Sequence, residues 1–258
     1  MLWINRLIIA FAALILVGCS TSHFKAPSKA IIDIPSITEA IDIETTIDAQ
    51  GTNSAPEGKP WFNVIEGNVP IIVTAPHATC PFREGKYRFS DGAGTAAVAI
   101  LLNKLAGVTA IYTTYESPSD PNYYDDNDFK ATLLKEIEKK HPILLLDIHG
   151  SSGFRPYDVD FGTMNGQSLL GNKHAFSLLV HCLKEEGLLN LSGNYFSASD
   201  HQTDAKFASK HGVPAIQLEI NSTWLIPAQG DLYAHRFAEL LQALDKYINI
   251  EESKSKDP

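Results

Sequence analysis

Pro142-Ile143-Leu144-Leu145-Leu146-Asp147-Ile148-His149-Gly150 reads as a buried strand that ends in two polar side chains. The run is continuous, apolar and short, as in a strand covered on both faces of a parallel sheet. Asp147 and His149 are two apart on an extended chain, so they share a face. Two further runs end the same way. Ile71-Ile-Val-Thr-Ala75 leads into Pro76-His77, and Ala215 to Ile220 carries Gln217 and Glu219 and leads into Asn221. Gln217, Glu219 and Asn221 lie on one face of that strand, with Ile216, Leu218 and Ile220 on the other. Buried strands are costly places for unpaired polar groups, so these side chains are expected to have partners.

Between these runs the pattern alternates. Trp61–Ile65 and Val69–Ala75 are apolar and separated by Glu66-Gly67-Asn68, a hairpin signal. Helices are expected at 95–105, 128–139, 173–185, 203–210 and 231–247, with further strands at 109–114 and 159–163. This order gives an α/β domain over residues 59–250: a mixed, largely parallel central sheet flanked by helices. In such sheets, ligands bind beyond the carboxyl ends of the central strands. Residues 19–58 read as a lipidated cysteine and a tether rich in Ser, Thr, Pro and Asp, in which the spaced isoleucines of Ile31–Ile47 offer a strand or short helix as the alternative to linker. Residues 251–258 read as a disordered, solvated tail.

The first eighteen residues read as an export signal. Arg6 gives a positive start, Leu7–Val17 is apolar and too short to span a bilayer, and Leu16-Val-Gly-Cys19 follows. This end resembles a bacterial lipobox, which implies cleavage before Cys19, a diacylglycerol and palmitate on that residue, and a lipid bilayer as partner. By resemblance to known sorting rules, Ser20 favours the outer membrane facing the periplasm. Cleavage removes Arg6 and no acid, taking the formal charge from -9 to -10. An acidic chain argues against nucleic acid or anionic lipid as partner. Cys80 and Cys182 are the other two cysteines, and an oxidising compartment permits but does not require a bond between them.

Two strand-end histidines suggest a metal. Zinc hydrolase sites commonly combine two His with one carboxylate and leave a position for water. Candidates for the third ligand after His77 are Cys80, Glu84 and Asp91, and Asp91 could equally cap the helix at Thr95. Asp147, Gln217 and Asn221 are candidate supporting groups around the ligands. Arg83, Arg88 and Arg155 are candidates for gripping a substrate carboxylate. His174 and His181 are seven apart on one helix, a packing pattern more than a ligating one.

Taken together, Pro76-His77, Asp91 before a helix, Asp147-x-His149 and Gln217-x-Glu219-x-Asn221 resemble N-formylglutamate amidohydrolases. Those enzymes are similar in turn to zinc carboxypeptidases and aspartoacylases. The resemblance spans roughly Asn63 to Leu241. It implies one Zn2+ per chain on His77, Asp91 and His149, with Glu219 as general base. It also implies hydrolysis of an amide in an N-acyl amino acid or small peptide-like substrate bearing a carboxylate. The relatives' Pro-His-Ser-Gly is Pro76-His77-Ala78-Thr79 here, and the carboxypeptidase His-x-x-Glu would place its glutamate at Cys80. Two other readings compete. Cys80 with His77 could form a thiol hydrolase, or the chain could be an envelope-binding lipoprotein on an inactive hydrolase scaffold. No Gly-x-Ser-x-Gly occurs, so a serine hydrolase elbow is absent.

Overall fold

The computed structural model describes residues 32–90 and 92–256, with the side chains of 34, 35 and 256 excepted. The export signal, Cys19 and Asp91 lie outside the described residues. The central strand is β6 (Leu144–Ser151), all eight residues of which are buried. It pairs in parallel with β2 (Ile71–Ala75) on one side and β9 (Ala215–Asn221) on the other. Beyond β2 lies β5 (Thr109–Thr113), parallel, and then β1 (Phe62–Ile65), antiparallel. Beyond β9 lies β7 (Val159–Gly162), antiparallel, and then β8 (Leu191–Gly193), parallel to β7. The seven strands thus run β1-β5-β2-β6-β9-β7-β8 in a mixed, mostly parallel sheet. A separate two-stranded ribbon joins β3 (Phe82–Arg83) to β4 (Lys86–Tyr87).

The hairpin expected at Glu66-Gly67-Asn68 does not form, because β5 inserts between β1 and β2. Gly67 instead presses on the turn before β5: a Cβ there would sit 2.0 Å from the Gly107 carbonyl oxygen. The Gly67 amide donates to Thr109 Oγ1, and Val69 N–H donates to the Gly107 carbonyl. All five residues of β2 are buried. Such a strand requires a neighbour on each edge, which a hairpin with β1 alone would not supply.

Helices cover both faces. One face packs against α1 (Ile34–Gln50), α2 (Thr95–Ala106), α4 (Lys173–Glu185) and α6 (Asp231–Lys256). The other packs against α3 (Asp128–Lys140) and α5 (Asp204–Lys210), through Phe129, Leu133, Ala205 and Phe207. Side-chain caps fix three helix starts: Asn127 accepts from Lys130 N–H, Asn172 from Ala175 N–H and Thr203 from Lys206 N–H. Each is worth about 1 kcal/mol. Among the described residues, no helix is long and apolar enough to cross a membrane.

Two expectations from the sequence change at the ends. Residues 34–50, read as tether, form α1, with Asp33 as its N-cap accepting from Ser36 N–H. Ile37, Ala40, Ile43 and Ile47 recur at helical spacing and pack into the core beside α2. At the other end, α6 continues through residues read as a tail. Ile250 packs on the core and Glu251 is buried, with Lys254 Nζ 3.0 Å from its carboxylate.

Candidate active site

Asp147, His149, Gln217 and Glu219 all project from the sheet face that carries α3 and α5, the side of Leu145 and Ala215. At the carboxyl ends of these strands lies a cleft of about 770 Å³. His77, just past β2, and His149, on β6, meet in it with ring centroids 4.9 Å apart and planes 81° apart. Each ring is held from behind by a carboxylate. His149 Nε2–H donates to Asp147 Oδ1 at 2.9 Å, and His77 Nε2–H donates to Asp120 Oδ1 at 2.8 Å. Both carboxylates are fully buried, while the imidazole side chains are 3% and 15% exposed.

The surroundings keep both acids ionised. Burial pushes the Asp147 carboxyl up, but His149, Lys130 and the Thr74 hydroxyl outweigh it, and its pKa falls below the ordinary carboxylate value. Asp120 follows the same balance: burial raises it, and His77, the Asn122 amide and His149 bring it below the ordinary value. Thr74 Oγ1 and Ala205 N–H complete the bonds to Asp147.

Glu219 stands directly across from His149 in the β6–β9 register. Gln217 Nε2–H donates to Glu219 Oε1 at 2.9 Å, which orients the carboxylate at the cleft wall. Asn221, on the same strand face, does not line the cleft. Its amide donates to the carbonyls of Gly153, Arg155 and Tyr157, and so shapes the loop that presents Arg155.

All three candidate arginines line this cleft, out of five in the sequence, and among the described residues no lysine does. Arg155 donates to Tyr195 Oη at 2.8 Å and lies over the Tyr195 and Phe196 rings. Arg83 stacks on Tyr123 and stands 3.6 Å from Asp120. Planar guanidinium groups held this way suit bidentate recognition of carboxylate.

Of the other third-ligand candidates, Glu84 accepts a hydrogen bond from Tyr123 Oη and does not line the cleft. Cys80 also lies off the cleft wall, its backbone tied to Gly51 and Ser117. Cys80 and Cys182 are both free thiols, Cys182 lying on the buried face of α4. Asp91 is outside the described residues, but the chain on either side of it borders His77. Ser90 Oγ–H donates to the His77 carbonyl at 2.6 Å, and a Cβ on Gly92 would lie 2.1 Å from that same oxygen. His174 and His181 sit on α4 with Lys254 and Glu185 as neighbours.

Two cleft residues were not singled out from the sequence. Asp120 sits in Ser117-Pro-Ser-Asp-Pro-Asn122, ordinary turn chemistry set several residues beyond the end of β5. His201 lies against the Tyr123 ring at 4.3 Å and carries no spacing signal.

The donors present fit two positions of a zinc site. Metal-bound imidazoles characteristically donate their second ring N–H to a carboxylate, as both histidines do here through Nε2. A metal would then be taken on Nδ1. Among the described residues, no three His, Cys, Asp or Glu side chains gather into a complete cation site, and Asp91 lies outside those residues.

No protein-family model and no curated protein matches the chain. Solved structures do. An N-formylglutamate amidohydrolase from Ralstonia eutropha JMP134 is similar with a TM-score of 0.52 at 14% identity, covering 76% of this chain and 98% of that one. A bacteriophage poly-gamma-glutamate hydrolase is similar at a TM-score of 0.48 and 16% identity, over 78% and 92% of the two chains. A metallo-carboxypeptidase from Burkholderia cenocepacia gives 0.44 and 13%, over 76% and 66%. The chain therefore shares the fold of N-formylglutamate amidohydrolase, the architecture that the sequence resemblance led one to expect.

Proposed function

We propose that the chain is a zinc-dependent amidohydrolase of N-acyl amino acids or small peptide-like amides that carry a carboxylate. The observation that carries this reading is the pair of carboxylate-anchored imidazoles, His77–Asp120 and His149–Asp147, set in one cleft with Glu219. His77 and His149 would hold the metal, with Asp91 as the third ligand expected from the sequence. When bound, zinc supplies Lewis acidity, polarising a carbonyl oxygen and acidifying water.

Glu219 takes the proton of the attacking water and delivers it to the leaving nitrogen. Gln217 keeps that carboxylate turned toward the cleft. Arg88 and Arg155 grip the substrate carboxylate, and Arg83 adds positive charge while bracing Asp120. An acidic chain that concentrates three of its five arginines in one cleft favours an anionic substrate there.

Metal analysis of the purified protein, followed by assay against a panel of N-acyl glutamates and N-acyl alanines, tests the proposal. About one zinc per chain is expected, lost in both His77→Ala and His149→Ala, with hydrolysis favouring the glutamates. Full metal content in both variants, or a zinc-loaded protein that cleaves no member of the panel, refutes it.

A further inference from the structure

The first turn of α5 reaches both carboxylates that hold the histidines. Ala205 N–H donates to Asp147 Oδ2, the carboxylate whose other oxygen accepts from His149. The preceding amide, Asp204 N–H, donates to Asn122 Oδ1 at 2.9 Å. Asn122 N–H in turn donates to Asp120 Oδ1, which accepts from His77. Two adjacent backbone amides thus connect one helical turn to two imidazoles that come from different strands and loops.

That turn is pinned by an ion pair. Lys130, in the first turn of α3, places Nζ 2.5 Å from Asp204 Oδ1, with side chains 1% and 0% exposed. The ammonium also lies over the Phe207 ring at 4.9 Å. Among the described residues, neither Asp204 oxygen nor Lys130 Nζ has a hydrogen-bond partner of acceptable geometry beyond this contact. Burying two charges costs several kcal/mol each, and apolar residues of similar volume commonly do as well or better for stability. Stability is therefore a weak reason for this pair. Its position behind Asp147 and beside Asn122 supplies a stronger one.

We propose that Lys130 and Asp204 form a positioning clamp: by locking the first turn of α5, they set where Asp147 and Asp120 stand, and thereby how His77 and His149 converge on a metal. The proposal rests on the metal-site reading above. Without the pair, the turn is free to shift by fractions of an ångström, and the two rings no longer approach one ion at the required angles.

The test is zinc affinity, read by competition with a chromophoric chelator, for the wild type, Asp204→Asn, Lys130→Met and the double variant. Melting curves run alongside, and affinity is referred to the folded fraction. The wild type should bind tightly, and each variant should bind roughly 10- to 100-fold more weakly, the usual effect of removing a group behind a metal ligand. A purely structural pair would lower the melting temperature and leave the affinity of the folded fraction unchanged. Wild-type affinity in folded Asp204→Asn, a nearly isosteric change, overturns the clamp even where Lys130→Met does not fold. A wild type that binds no zinc at all refutes the metal site instead, and the clamp with it.

Discussion

His149 and Glu219 are register partners on adjacent parallel strands, with Asp147 opposite Gln217 two residues earlier. The candidate ligand and the candidate base are therefore spaced by backbone pairing in the centre of the sheet. Sites built on such elements hold their geometry more tightly than sites carried on loops.

Glu219→Gln keeps this register and removes only the candidate base. Turnover of an N-acyl amino acid should fall about a hundredfold or more, with little change in KM, since the proton moves only in the transition state. Zinc content and melting temperature should stay at wild-type values. A variant with wild-type turnover removes Glu219 from the mechanism.

Asp120→Asn weakens the hold on His77 without changing side-chain volume. Zinc affinity should drop by roughly 10- to 100-fold, and the variant should remain folded. Chelator competition reads the affinity. An unchanged value would mean that Asp120 serves the loop and not the imidazole.

Arg155→Ala should raise KM for a carboxylate-bearing amide by about tenfold or more, as expected for a lost charge-assisted bond. KM for the corresponding carboxamide analogue should be unaffected. Arg155→Lys should restore little, because an ammonium cannot reproduce the planar fork that rests on Tyr195 and Phe196. Parallel steady-state kinetics on the two substrates decide it.

Glu44, on α1, is pushed up to about 7 by burial and by the nearby Asp48. Below the ordinary carboxylate range, both folded and unfolded chains are protonated. From there to about pH 7, the unfolded chain ionises while the folded chain keeps its proton, so stability falls across that window. Glu44→Gln should therefore melt like the wild type near pH 4 and at a higher temperature than the wild type at pH 8. Thermal melts at the two values give the comparison, and a pH-independent difference would contradict the cause assigned.

Cys19→Ser should leave the protein without palmitate label and outside the membrane fraction, if the lipobox Leu16–Cys19 is used. Labelling of the variant at wild-type levels would disprove the anchor.

That His77, His149 and Glu219 would line one cleft was legible because each closes or interrupts a greasy run, a pattern visible within nine residues of sequence. Asp120 was not, since its turn looks like any other and its partner is 43 residues away. Lys130 reads as part of the polar face of an amphipathic helix, and only the fold reveals Asp204 beside it. The sheet order was hidden for a related reason. Neighbouring runs suggested a hairpin, whereas β1 takes its partner from beyond α2. In α1, the spaced isoleucines were visible, but a Ser-, Thr-, Pro- and Asp-rich setting favoured a linker over the helix that Ile37, Ala40, Ile43 and Ile47 pack.

If Cys19 carries a lipid, as the lipobox leads one to expect, the start of α1 at Ile34 bounds the length of the leash. With Cys19 in a bilayer, residues 20–33 are the whole of the chain between lipid and folded body. Fourteen residues at full stretch span at most about 50 Å, given roughly 3.3–3.6 Å per residue. Had residues 34–58 been slack as well, the reach would have been more than twice as long. A protein leashed this closely would patrol a thin shell of space next to its membrane, and anything it acts on would have to come to that shell, by diffusion or by being fixed within it.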